Sequence, residues 1–304
     1  MKILVAFSGG KDSLACLLWA VKNPQYKNIP IEAVFCDTGW EHELTYSHIK
    51  EVTDKLQIKL VTLKSKKYDG FVDLAVKKKR FPSTKAKFCT EELKVKPMID
   101  YVLDEVNDNV IIIQGIRSDE SPARSKMNKQ CTYFKYYFEP YGINKKGKPK
   151  KHSYRKRDVI KFREKYNDDV LRPCIDWTAM EIMNYIILNE FKPNPLYYMN
   201  MKRVGCYPCI MCNHKELHSI IKQSPEHIKK LKEAEKDVAK TFFPPNIIPT
   251  RFQTKIDPKS GKSIASVEDV VKYLEMRSGD SQEGLFPEPD QEGHKCMSVY
   301  NICE

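Results

Sequence analysis

The run Lys2-Ile3-Leu4-Val5-Ala6-Phe7 stops at Ser8-Gly9-Gly10-Lys11-Asp12-Ser13, and beyond it Leu14, Leu17 and Leu18 recur at helical spacing. An apolar strand is thus joined to an amphipathic helix by a loop carrying two adjacent glycines. Such a pair lets the backbone turn tightly and leaves consecutive N–H groups uncovered. The following helix adds the positive end of its dipole, and Lys11 with the serine hydroxyls completes a cradle for an anion. The spacing is not that of the longer Gly-x4-Gly-Lys-Ser/Thr loop. An ordinary Ser/Gly turn would also join a strand to a helix, but Lys and Asp beside the glycine pair favour the anion site.

Residues up to 120 continue the strand–helix alternation, the pattern of β-α-β units around a parallel sheet. Strands are predicted at Lys2–Phe7, Ile31–Cys36, Lys59–Leu63 and Val110–Gly115, with helices from Asp12 to Val21 and from about Leu44 to Leu56. The expected class is α/β, a right-handed, doubly wound, mostly parallel sheet with its ligand at the carboxyl ends of the strands. Gly142–Arg157 breaks the pattern: eight Lys/Arg and no acid between Lys145 and Arg157 make it an exposed, mobile insertion. A helix is expected at Thr178–Asn189, and a charged helical region over His214–Thr241 interrupted at Pro225. The expected organisation is a domain over 1–213 with the insertion at about 142–157, a helical extension over 214–278, and a flexible tail over 279–304.

Hydrophobic residues at 41% and aromatics at 11% supply a core, which excludes global disorder. No run of eighteen apolar residues is present, and the amino-terminal apolar stretch is too short for a signal peptide. The expectation is a cytoplasmic protein with no membrane partner. A net charge of +12, from 52 Lys+Arg against 40 Asp+Glu, favours polyanions such as nucleotides or nucleic acid, and leaves a merely soluble basic surface open. Ten cysteines in such a chain argue for metal or redox chemistry over disulfides. Three stand at Cys206-x2-Cys209-x2-Cys212, a spacing that turns thiolates onto one centre, as iron–sulfur and zinc sites both require. Cys16, Cys36 and Cys131 read as small buried hydrophobes.

The Ser8–Ser13 loop resembles that of the pyrophosphate-loop enzymes, the adenine-nucleotide α-hydrolase-like group, and within them the phosphoadenosine-phosphosulfate (PAPS) reductase family. Phe35-Cys36-Asp37-Thr38-Gly39, the segment Gly115-Ile116-Arg117 to Glu120-Ser121-Pro122-Ala123-Arg124, Arg172-Pro173 with Trp177, Asn194-Pro195-Leu196-Tyr197 and Gly205-Cys206-Tyr207-Pro208-Cys209 are similar to that family's later motifs, in order. The resemblance implies a HUP-type fold with a cysteine-rich loop and a helical extension. It also implies an adenine nucleotide held by Ser8, Gly9, Gly10, Lys11, Asp12, Ser13, Asp37, Thr38, Gly39, Gly115, Arg117 and Arg124, with Lys11, Asp12 and Arg117 catalytic. The guanidinium forks of Arg117 and Arg124 suit phosphate or sulfate oxygens, although Asp119 and Glu120 offer them partners. Asp37 suits a ribose hydroxyl or Mg2+, or else a helix cap. Phe88-Cys89-Thr90 looks like the cysteine segment of iron–sulfur members, with Thr90 where those members often carry a second cysteine. The implied ligand set is Cys89, Cys206, Cys209 and Cys212, for a [4Fe–4S] cluster or alternatively Zn2+, with His214 and Cys174 as substitutes.

Members that split ATP carry Ser-Gly-Gly-x-Asp-Ser, as here. The sulfonucleotide reductases carry an altered loop and a carboxyl-terminal Glu-Cys-Gly-x-His segment that this sequence lacks, Cys303 being the nearest thiol to that end. The expected activity is therefore cleavage of ATP to AMP and pyrophosphate, activating an acceptor for sulfur transfer. A sulfonucleotide (PAPS/APS) reductase releasing sulfite and a non-catalytic nucleotide-binding or DNA-associated regulatory protein are the alternatives. DNA or RNA, through the basic insertion with His152, Tyr154 and Arg155 interleaved, and a sulfur-donor protein are candidate partners. Tyr133, Tyr136 and Tyr137 either stack on bases or pack in the core.

Overall fold

Burial on both faces selects the most apolar runs as central strands, and the computed structural model describes their surroundings over residues 1–144, 146–257 and 260–279. In chain order the elements used below are β1 (Lys2–Ala6), α1 (Lys11–Lys22), β2 (Ile31–Cys36), α2 (Glu43–Leu56), β3 (Lys59–Leu63), α3 (Phe71–Lys78), α4 (Lys96–Tyr101), β4 (Val110–Gln114) and β5 (Gln130–Thr132). They continue with β6 (Gly142–Ile143), β7 (Pro149–Lys150), α5 (Lys156–Arg163), β8 (Asp168–Leu171), α6 (Ala179–Leu188), α7 (His214–Gln223), α8 (Pro225–Val238), β9 (Lys255–Ile256), β10 (Ser263–Ile264) and α9 (Val267–Gly279). The expected tail, with Cys296 and Cys303, lies outside the described residues.

Two units interleave along the chain. The first comprises Met1–Asp37, Glu43–Lys66 and Glu92–Pro195, and the second Thr38–His42, Lys67–Glu91 and the residues from Leu196 onward. The first holds a sheet in the order β3-β2-β1-β4-β8-β5, parallel throughout except for the β5–β8 edge pair. This is the doubly wound, mostly parallel α/β arrangement that the strand–helix alternation predicts. Leu4, Val34, Ile112 and Val170 pack with Met98 and Ile99 of α4 and Val159 and Phe162 of α5. Alternation turns Ile3 and Val5 to the opposite face. Helix α1 buries Leu14, Leu17 and Leu18 and packs on α6, which buries Ile182, Met183 and Ile186.

Chain order reverses between β1 and β4, which run in register from Lys2 against Val110 to Ala6 against Gln114. The loops leaving their carboxyl ends therefore open the crevice where such sheets bind ligands. The second unit is helical, with α8 packed on α3, α7 and α9. Its aromatic core runs from Trp40, stacked 5.1 Å from Phe71, to Phe81 and Phe242 at 5.2 Å. The Pro225 interruption separates α7 from α8, and no helix of the described residues is long and apolar enough to cross a membrane.

Candidate functional site

The loop between β1 and α1 is built by contacts its sequence only hints at. Gly9 has φ +74, and a Cβ there would meet Thr45 Cγ2 at 3.0 Å and Ile49 Cγ1 at 3.1 Å. Ser13 Oγ donates to Gly10 O at 2.8 Å and accepts from Ser8 N at 3.2 Å, which closes the loop on itself. Among the described residues the amides of Gly9, Gly10 and Asp12 meet no protein acceptor. Asn194, wholly buried, donates to Gly9 O at 3.2 Å and lies 3.3 Å from Thr45 Oγ1. The Gly10 N–H, trans to that carbonyl in the same planar peptide, points the other way. Asn194 lies in a motif quoted above, yet its role is not readable from sequence because its partners stand 185 and 149 positions away.

Asp12 gathers the cations. Its Oδ2 accepts from Lys11 Nζ at 2.7 Å and its Oδ1 from Arg117 Nε at 2.6 Å. Lys11 is 3% exposed, and burial, opposed by Asp12, holds its pKa below the usual lysine range. Burial also works against the charge of Arg117, but Asp12 and Asp119 outweigh it and keep the guanidinium firmly charged. Arg124 pairs with Glu120, so both arginines have the acidic neighbours that the sequence allows them. Gly115 has a packing reason: a Cβ there would fall 2.6 Å from Ser13 N, so only glycine lets the end of β4 touch the first turn of α1. Asp37, after β2, accepts from Tyr46 Oη at 2.7 Å and pairs with Lys64 at 3.4 Å.

Thr38 and Gly39 belong to the second unit, with the cysteines. Thr38 is 1% exposed; its amide and hydroxyl both donate to Glu41, the latter at 2.7 Å, and its hydroxyl is 3.8 Å from Cys206 Sγ. Tyr207 N donates to Trp40 O at 2.7 Å, and Trp40 Nε1 to Pro208 O at 3.0 Å, so the Thr38–His42 segment clasps the cysteine loop. Cys212 N donates to Cys209 O at 2.9 Å, the turn that the two-residue spacing predicts. Burial, helped by Glu216 and Cys209, pushes the Cys212 thiol up to about 12. Cys89, on the one-turn helix Phe88–Thr90, is half-buried like Cys206, Cys209 and Cys212. Four soft thiols in one unit suit an iron–sulfur or zinc centre by donor chemistry. Among the described residues no three of these sulfurs lie within 4.8 Å of one another.

The two substitutes are occupied elsewhere. Cys174 belongs to the first unit, fully buried and hydrogen-bonded to Cys16, whose thiol that bond and burial push well up. His214 Nε2 sits 2.8 Å from Ile247 O. Cys16 is buried as expected, while Cys36 and Cys131 are half-buried.

The basic insertion is two things. Gly142–Ile143 and Pro149–Lys150 form a hairpin separate from the main sheet. Arg155, by contrast, reaches Asp100 at 2.8 Å, Asp104 at 2.6 Å and Asp158 at 2.9 Å, and Tyr154 Oη donates to Asp100 at 3.0 Å. Hydrogen bonds from Arg155 and Lys66 hold Asp104 down to about 2. Tyr154 and Arg155 thus anchor the insertion, and the phosphate contact expected of them is not where their side chains go.

Comparison with known proteins places this architecture. The phosphoadenosine phosphosulfate reductase domain matches residues 2–212. A 37.8 kDa protein of Escherichia phage 186 is 30% identical over 99% of this chain and 96% of its own length. Among solved structures, the phosphoadenylyl-sulfate reductase of Candida auris is 16% identical with a TM-score of 0.44, covering 69% of this chain and 83% of that one. The U34-tRNA thiolase of Methanococcus maripaludis, solved with its [4Fe-4S] cluster, is 17% identical with a TM-score of 0.40 over 99% of this chain and 80% of that one. With residues 2–212, more than half its length, matched by that model, the chain belongs to the phosphoadenosine phosphosulfate reductase domain family.

Proposed function

We propose that the protein binds ATP at the Ser8–Ser13 loop and splits it to AMP and pyrophosphate, activating an acceptor for sulfur transfer. The observation that carries this reading is the loop itself: amides of Gly9, Gly10 and Asp12 without protein acceptors among the described residues, beside two cations aligned on Asp12. An acceptor oxygen attacks the α-phosphorus, and the bond to the bridging oxygen breaks with its electron pair leaving on pyrophosphate. The amides, Lys11 and Arg117 meet the charge that grows there. A sulfur nucleophile then displaces AMP from the activated carbon. Asp12 is a positioning residue for both cations, and Arg124 and Asp37 extend the site along the carboxyl edge.

Mg2+ on the phosphate oxygens would offset their charge, with Asp37 the carboxylate offered to it or to the ribose. Cys89, Cys206, Cys209 and Cys212 would hold a [4Fe–4S] cluster, which would supply a thiophilic iron centre. Zinc bonds four sulfurs at about 2.3 Å each, which needs them roughly 3.8 Å apart. Zn2+ on the same four thiols is the alternative.

The test is pyrophosphate release from ATP by anaerobically purified protein. Lys11→Ala and Asp12→Ala are each expected to lower it by about a hundredfold or more. Thiol-dependent sulfite release from PAPS without ATP would install the reductase reading instead. Binding of ATP without turnover would leave a regulatory nucleotide-binding protein.

A further inference from the structure

The rings that the sequence leaves between base stacking and core packing separate in the structure. Phe134 and Tyr137 are buried among Val159, Phe162 and Val170, and Tyr133 packs against that core. Tyr136 and Tyr141 instead stay 42% and 49% exposed, and Ile143 at the hairpin 70%. The Tyr136 and Tyr141 rings lie 5.9 Å apart at 70°, and the exposed His152 stacks on Tyr141 at 4.8 Å and 21°. Folding drives rings inward, so a surface group of three that packs mainly on itself is a stack left open to a partner.

Charge says what kind of partner. Lys146, Lys148, Lys150, Lys151, Lys156 and Arg157 are all exposed, and none is in an ion pair among the described residues. The neighbouring acid, Glu139, pairs with Lys135 at 3.3 Å. Backbone bonds fix rings and lysines on one scaffold: His152 N donates to Tyr136 O at 2.9 Å and Tyr141 N to Lys150 O at 3.0 Å. Arg155 ties its base to Asp100 and Asp104.

We infer that residues 136–144 and 146–157 form a platform for an unpaired nucleic-acid strand, with Tyr136 and Tyr141 stacking on its bases and the surrounding lysines meeting its phosphates. A duplex hides the faces of its bases, and an acidic peptide satisfies the lysines but not the rings. The inference rests on the nucleotide-activating reading only in that the bound strand would carry the acceptor.

Fluorescence anisotropy of the full chain with labelled twelve-nucleotide single strands, DNA and RNA in separate arms, and with the matching blunt duplex tests it without ATP. The expected result is tighter binding of a single strand than of the duplex. Tyr136→Ala with Tyr141→Ala should weaken that binding by about tenfold or more and leave the salt slope unchanged. Lys148→Gln with Lys150→Gln should instead flatten the slope of log K against log salt by roughly 1.4. A preference for the duplex overturns the proposal, as does a tyrosine pair whose removal changes nothing while the lysine pair still matters. Circular dichroism and pyrophosphate release on the same variants separate misfolding, and failure of the ATP reading, from failure of the platform.

Discussion

At Gly115 one missing carbon decides whether two elements can meet. Alanine there would bring a Cβ to 2.6 Å from Ser13 N and 2.7 Å from Asp12 C, backbone atoms that cannot swing aside. Gly115→Ala should therefore cost roughly 1–3 kcal/mol by overpacking and weaken ATP binding in calorimetry. Gly261→Ala, at φ +64 with nothing within 4 Å, is the comparison: it should cost about 1 kcal/mol and leave ATP affinity alone. His48 makes a pH prediction. It is 4% exposed, its Nε2 has no partner among the described residues, and burial lowers its pKa to about 4. The unfolded chain takes up this proton near pH 6.5 and the folded chain only near 4, so stability is fully present above 6.5 and falls as pH drops toward 4. The full drop is at most about 3 kcal/mol, and His48→Leu should flatten that limb in urea titrations at pH 7 and 4.5. None of these roles is visible in the residue alone, because each depends on a neighbour that tertiary contact supplies.

Among the elements, the apolar strands β1 to β4 and the helices α1, α2 and α6 stand within one or two residues of where periodicity puts them. Thr178 and Glu181 start α6 with the reciprocal capping bonds that their spacing predicts. Strand β8 is different: Asp168-Asp169-Val170-Leu171 carries two acids, and no strand is predicted there from the sequence. It enters the sheet because Asp168 is met by Arg163 at 2.9 Å and by Phe134 N at 2.7 Å, although burial still raises its pKa. The insertion follows the same logic. Its charge count predicts exposure, but Arg155 is spent on acids from the 96–106 segment, and a pattern of lysines and arginines does not say which of them turns inward. Arg155→Ala would leave Asp100, 6% exposed, without its cation, at a cost of about 3 kcal/mol. Trypsin should then cut the Lys146–Lys151 stretch several times faster than in the wild type, and an unchanged rate would show that the anchor lies elsewhere.

At the scale of the whole molecule, the second unit is assembled from three separated segments, two of which place Cys89 and the 206–212 loop in the same unit. Cys209→Ser should leave anaerobically purified protein with little of the proposed cluster's iron and acid-labile sulfide, whereas Cys174→Ser should keep it, since Cys174 is a thiol hydrogen-bonded to Cys16 in the first unit. The charge of +12 belongs to this scale too, and it acquires an address only once paired cations are set apart from unpaired ones. By itself the sequence determined what is local or ordered: the strand–loop–helix that bares its amides, the alternation that makes a parallel sheet, the cysteine spacing and the succession of family motifs. Only the tertiary structure decided which cations share Asp12, why Gly115 and Asn194 stand where they do, which thiols fall in one unit, and which lysines of the insertion are in no ion pair among the described residues. The physical reason is separation along the chain: a hydrogen bond or close approach between residues many positions apart is a property of neither segment until packing brings them to within a few ångströms.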